Sequence, residues 1–183
     1  MTATEYLAWE REQAHRHEYV RGEVFAMSGG SPRHAALIAA VTAELVTAHR
    51  GGRCRALATD QRIAALDGEH YVYADASVVC GPMSLAKGTK DTMTNPTVVV
   101  EVLSKSTEAY DRGAKWNGYR SIASLTDFLL VSQSSPQMEH FQREPNGEWH
   151  YRVAGPGGRV TLGTGVSIEV DVVFRGVFEL EGE

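Results

Sequence analysis

Pro96-Thr97-Val98-Val99-Val100-Glu101-Val102-Leu103 is a β-branched run interrupted by a single carboxylate. A strand with water on one face alternates apolar and polar residues. This stretch does not, so it predicts a central strand covered on both sides. Thr107 and Glu108 open a predicted helix reaching about Ile122, and Asp127-Phe128-Leu129-Leu130-Val131 reads as another buried strand. A strand, a helix of about four turns and a further strand predict a right-handed crossover connection. The fold class is therefore α/β, a mixed sheet flanked by helices.

Upstream, Cys54 to Leu66 and His70 to Cys80 are predicted strands joined by Asp67-Gly68, a strong hairpin signal. Ser31 or Pro32 opens a helix to about His49, with Ala35, Ile38, Ala39, Thr42 and Leu45 as its expected apolar stripe and Gly51-Gly52 as its stop. A short amphipathic helix is expected over Tyr6 to His17, followed by a tight hairpin around Arg21-Gly22. Downstream of the crossover, Met138 to Arg143 and Trp149 to Val153 flank Pro145-Asn146-Gly147, so the C-terminal part is expected to be β-rich. No repeat or low-complexity linker breaks the 183 residues, and one domain over 1–183 is the expectation.

Hydrophobic residues make up 43% and charged residues 22%, outside the low-hydrophobicity class that stays disordered. Cys54 and Cys80 lie in separate β-like segments with no CxxC pairing, which predicts two buried reduced thiols and a cytoplasmic setting. The N-terminal residues lack a basic stretch leading into an apolar run, and no stretch approaches a membrane span, so no membrane partner is expected. A net charge of -5 argues against tight indiscriminate nucleic-acid binding, which rests on neutralising many phosphates. It leaves a nuclease open, because acids that hold Mg²⁺ add to the negative count and the ion restores positive charge locally.

Glu101 is the most informative residue. An unpaired carboxylate inside Val98 to Leu103 would cost several kcal/mol to desolvate, so a metal ion, a Lys or Arg partner, or placement at a strand end facing a cleft must compensate it. Asp75 interrupts Tyr71-Val72-Tyr73-Ala74-Asp75-Ala76-Ser77-Val78-Val79 in the same way. Two hard carboxylates brought to one cleft favour Mg²⁺ or Mn²⁺. Lys115 follows on the helix, with Asp111 one turn before and Tyr119 one turn after on the same face; the plain alternative is an exposed i,i+4 pair. His34 lies near the start of the second helix, where a cap or a solvent-facing side chain is the plain alternative. No HExxH, GxSxG, GxxxxGK[ST] or GxGxxG pattern occurs, which removes zinc-protease, serine-hydrolase and phosphate-loop chemistry.

The order of elements, with Asp75 and Glu101 on successive strands ahead of a helix and another strand, resembles the PD-(D/E)XK nucleases. More closely, the chain resembles the bacterial Uma family of restriction-endonuclease-like proteins. The likeness is carried by His17-Glu18-Tyr19-Val20-Arg21-Gly22-Glu23-Val24, Ser31-Pro32-Arg33-His34, Tyr73 to Cys80, Asn95 to Ser104, and Ser106-Thr107-Glu108 through Asp111, Lys115 and Tyr119. The resemblance implies a restriction endonuclease-like core with a β-rich C-terminal extension and a metal-dependent DNA endonuclease activity. Asp75, Glu101 and the backbone carbonyl of Val102 would hold Mg²⁺ or Mn²⁺. Lys115 would orient or help activate the attacking water, and Glu18 and His34 would lie at the mouth of the site. A homodimer is the expected assembly and DNA the expected substrate. Two departures stand out. Position 74 is Ala where the superfamily has Pro, and position 103 is Leu where it has Lys, which makes Lys115 the replacement and leaves Lys105 in the loop beyond the strand. The competing expectation is a catalytically silent relative that binds nucleic acid or protein. A glycosidase using the two carboxylates is a distant third.

Overall fold

The computed structural model describes residues 1–27 and 29–180. Helix α1 (Ala3–Glu10) starts three residues earlier than expected because Thr2 and Glu5 form a reciprocal capping box. It stops at Glu10, so that His17 already belongs to β1 (His17–Val20). Strands β1 and β2 (Glu23–Ala26) form the anticipated hairpin, whose turn places both Arg21 and Gly22 at positive φ. In α2 (Pro32–Ala48), Ser31 caps the first turn by accepting from the His34 amide.

The expected stripe of α2 is out of phase. Its buried residues are Leu37, Val41 and Leu45, while Ala35 and Ala39 are exposed. Both readings fit a helical period, and burial of the larger side chains decides between them, since each fully buried Leu or Val stabilises by ~1.5–3 kcal/mol.

The two long predicted strands are each broken. The first divides into β3 (Cys54–Ala58) and β4 (Arg62–Ala65), the second into β5 (His70–Tyr73) and β6 (Ala76–Cys80). Strands β4 and β5 pair around a 3-10 turn at Leu66–Gly68, and β3 and β6 pair farther out, so the predicted adjacency holds in two different sheets. Strand β7 (Thr92–Met93) arises within the expected loop and pairs in parallel with β4. Beyond it come β8 (Val98–Val102), the helix α3 spanning 108–119, β9 (Asp127–Val131), β10 (Met138–Arg143), β11 (Trp149–Ala154), β12 (Arg159–Thr161), β13 (Ser167–Glu169) and α4 (Val170–Val173).

The central sheet runs β11-β10-β9-β8-β6-β3, with β8 and β9 parallel across the α3 crossover and its other neighbours antiparallel. Every residue of β8 is buried, as its unalternating sequence requires. Val98, Val100 and Leu129 face α2 and the C-terminal elements, while Val99, Phe128 and Leu130 face Tyr119 of α3 and Ile63 and Val72 of the second sheet. That second sheet, β2-β1-β5-β4-β7, covers the face on which Glu101 points. The structure is thus a mixed α/β fold with few helices, in which helices flank the central sheet and a second sheet shares one face with α3.

Cys54 and Cys80 are direct partners across β3 and β6 and form a disulfide. The expectation of two reduced thiols is corrected: it treated the cysteines as belonging to separate segments, whereas the pairing register makes them neighbours. The inference from free thiols to a cytoplasmic setting loses its footing with it. No helix among the described residues is long and apolar enough to cross a membrane.

Candidate metal and active site

The break between β5 and β6 is where the chain passes from one sheet to the other, and Asp75 sits in that break. Its Oδ2 accepts from the Val102 amide at 2.7 Å, which fixes the carboxylate beside the end of β8 that carries Glu101. Ala76 pairs with Val100, so the two acids are drawn to one place by register. Glu101 is 2% exposed.

Lys115 comes to Glu101 from α3. Its Nζ lies 3.1 Å from Glu101 Oε1 and 3.0 Å from Glu18 Oε1, and it donates to the Tyr73 carbonyl at 3.0 Å. Asp111 Oδ1 is 3.6 Å away. Tyr119 donates to Glu101 Oε1 at 2.7 Å. The predicted shared face of Asp111, Lys115 and Tyr119 is real, but it is buried instead of an exposed surface pair. His34 Nε2 lies 3.0 Å from the Val102 carbonyl and 3.7 Å from Asp75 Oδ2, so it faces the site and not solvent. Lys105 is exposed in the loop beyond β8, and Leu103 is packed in the core.

Helix α3 is not uniform: Asp111–Lys115 is a π-helical turn between the α-helical segments Glu108–Tyr110 and Trp116–Tyr119. Such turns widen the helix locally and recur at functional sites. Sequence reading missed several supports of the cluster. Thr107 donates to Asp111 Oδ2 at 2.8 Å, the Tyr73 carbonyl receives Lys115, and Arg112 clamps Glu139 of β10, with Nη1 donating at 2.8 Å. A residue read as a helix start was the one signal for Thr107; the others depend on contacts between distant elements.

Four carboxylates, Glu18, Asp75, Glu101 and Asp111, converge on one ammonium. Burial raises the Glu101 pKa well above the ordinary carboxylate range, with Lys115 offsetting part of it and the neighbouring acids adding to it. Asp75 and Asp111 are raised for the same first reason. Burial alone would lower Lys115, but the surrounding carboxylates outweigh it and hold the pKa well above its usual value. Lys115 therefore stays protonated, able to donate hydrogen bonds and to offset negative charge but not to remove a proton.

The cluster opens into a cleft of about 970 Å³ between β2, the start of α2, α3 and the loop after β9. Neither Asp75 Oδ1 nor Glu101 Oε2 takes a hydrogen bond among the described residues, and the Val102 carbonyl, bonded once to His34, keeps a second lone pair. No three His, Cys, Asp or Glu side chains among the described residues form a ready ion site. A cation there would need the carbonyl or water beside the two carboxylates, and this all-oxygen donor set fits Mg²⁺ or Mn²⁺.

A mixed α/β architecture of this kind, with acids from two sheets and a helix lysine at one cleft, has the layout of a nuclease fold. The chain belongs to the family described as "Putative restriction endonuclease" (Uma2), whose model matches residues 3–173. It is 35% identical over 178 residues to the uncharacterised protein slr1290 of Synechocystis, covering 97% of this chain and 93% of that protein. It is also 28% identical over 149 residues to sll1609 of the same organism, covering 81% and 84% respectively. Among solved structures it is similar to a protein of Anabaena variabilis described as "a putative nuclease belonging to DUF820". The TM-score is 0.78 at 14% identity, over 97% of this chain and 99% of that one, a likeness of fold.

Proposed function

We propose that this protein is a metal-dependent endonuclease that hydrolyses DNA phosphodiester bonds, acting as one domain over 1–183 and as a homodimer. The observation that carries the reading is the charge imbalance in the cleft, where three buried carboxylates and the half-buried Asp75 surround one lysine. A surplus of buried negative charge is costly unless a cation offsets it. Asp75, Glu101 and the Val102 carbonyl are the proposed ligands. A bound Mg²⁺ or Mn²⁺ would supply charge to draw the scissile phosphate and would lower the pKa of water.

The chain's own residues do the rest. Lys115 supplies a fixed positive charge beside the place where negative charge grows on the phosphate, and its engagement by Glu18, Glu101 and the Tyr73 carbonyl keeps it there. Tyr119 holds Glu101 in one rotamer through its hydroxyl, and Asp111 helps keep Lys115 charged. His34 steadies the Val102 carbonyl and Asp75. The silent-relative reading rests on the acidic balance and on Leu103; against the second, Lys115 brings an amino group within 3.1 Å of Glu101 from the helix instead of the strand.

The test is nicking of supercoiled plasmid with Mg²⁺ or Mn²⁺, alongside calorimetric titration of Mn²⁺. Asp75→Ala and Glu101→Ala should lose both cleavage and ion binding, and Lys115→Ala should lose cleavage by about 100-fold or more, the scale of lost electrostatic stabilisation of the transition state. Nicking that persists undiminished in all three variants would reject the assignments. Mn²⁺ binding absent from the wild type would favour the silent relative. Sedimentation of the wild type at about twice the monomer mass is expected, and a monomer would remove the dimer from the proposal.

A further inference from the structure

Edge strand β2 carries a large aromatic side chain at the cleft that core packing does not explain. Phe25 is 43% exposed. Its partner across the hairpin is Glu18, so both side chains leave the β1–β2 ribbon on the same face, toward the site. The Phe25 ring lies 5.9 Å from that of Tyr110 on α3, and the two rings line one wall of the cleft. Tyr110 is held from beneath, next to Lys115, which lies 5.7 Å from its ring centroid. A solvent-facing phenyl ring is thus mounted on a backed aromatic neighbour beside the proposed catalytic lysine.

The cleft's cations are poorly placed to grip a duplex. Arg112 is engaged by Glu108 and Glu139, Lys115 by Glu18, Glu101 and Asp111, and Arg33 donates to the Gln133 carbonyl and lies over the Phe178 ring. Lys105, exposed on the rim, has no carboxylate partner among the described residues. With a net charge of -5, affinity for continuous duplex through phosphate neutralisation should be weak. Stacking a base on an aromatic ring needs no such charge, but bases inside a duplex already stack on one another, and an unpaired strand has faces to offer.

We propose that Phe25, backed by Tyr110, is a stacking platform for a nucleobase next to the scissile phosphate, and that the preferred substrate is single-stranded DNA or a single-stranded segment at an end or junction. This rests on the nuclease reading above and narrows its substrate class. The platform is a binding residue and makes no contact with the reacting phosphorus.

The experiment uses full-length protein with calcium in place of magnesium, an oligonucleotide carrying 2-aminopurine, and the same sequence as a duplex. Anisotropy reports binding and 2-aminopurine fluorescence reports stacking. The wild type should bind the single strand about tenfold or more tighter than the duplex, with quenching of the base. Phe25→Ala should lose the quenching and weaken single-strand binding by about tenfold, the scale of one stacked base, while Phe25→Trp should restore both. Because Phe25 is exposed, the alanine variant should melt with the wild type. Duplex binding as tight as single-strand binding, or quenching indifferent to Phe25→Ala, overturns the platform and leaves the nuclease reading standing. Absence of anisotropy change with either oligonucleotide overturns both.

Discussion

Glu18 Oε1 accepts from the Tyr73 amide at 2.9 Å and lies 3.0 Å from Lys115 Nζ, so one oxygen ties β1 to β5 and both to α3. Removing it leaves a buried amide without its acceptor, which costs ~1–3 kcal/mol. Glu18→Ala should therefore lower unfolding free energy in urea by about that much. Glu18→Gln keeps a carbonyl oxygen for the Tyr73 amide and should lose less. An alanine variant no less stable than the glutamine one would show that the bridge is not what Glu18 supplies. At this scale the site was unevenly legible. Asp75 and Glu101 stood out because each interrupts an apolar run and a carboxylate there needs a reason. Glu18 sits in a strand with ordinary polar neighbours, and only resemblance singled it out. The disulfide was hidden because the partnership of Cys54 and Cys80 depends on where two strands break, at 59–61 and at 74–75.

Helix α3 was readable as a helix, and its Asp111, Lys115 and Tyr119 face was readable from spacing, but the π turn that sets their mutual angle has no clear sequence signal. Its two glycines give substitutions of opposite sign. A Cβ at Gly113 meets nothing within 4 Å, and its backbone needs no left-handed angle, so Gly113→Ala should stabilise by ~1 kcal/mol through helix propensity alone. A Cβ at Gly118 would lie 2.6 Å from His70 Nδ1, and His70 is 2% exposed with no room at the surface to retreat to. Gly118→Ala should destabilise by ~1–3 kcal/mol, the range of overpacked cores. Chemical denaturation of both variants decides it, and equal effects of the same sign would mean that propensity, not packing against β5, governs this helix. The misphased stripe of α2 has a related cause. Ala-rich helices offer several faces of similar hydrophobicity, and the choice of Leu37, Val41 and Leu45 is made by the sheet beneath.

For the molecule as a whole, the site lies where two sheets and α3 meet, so its charge balance should be felt in global stability. Asp75, Glu101 and Asp111 have folded pKa values above their unfolded ones. Groups shifted in that direction contribute stability that is fully present below about pH 4 and is lost as pH rises through the folded values. His70 pulls the other way, because burial lowers its pKa and its contribution is lost as pH falls below about 6.5. Comparison with a variant that removes one acid cancels the histidine. Asn at position 75 keeps an oxygen for the Val102 amide but carries no charge. In metal-free buffer Asp75→Asn should therefore be the more stable protein at pH 7, because burial penalises the charged carboxylate that the amide lacks. That advantage should shrink toward pH 4. Adding Mn²⁺ should reverse the ranking, because an ion that binds the folded wild type stabilises it by ~2.7 kcal/mol at a hundred times its dissociation constant, and the variant lacks a ligand. Thermal melts of the two proteins with and without Mn²⁺, at both pH values, read all of these signs. A wild type more stable than Asp75→Asn in the absence of metal would mean that the four carboxylates are balanced by the protein itself, and the case for a divalent ion in this cleft would lose its physical basis.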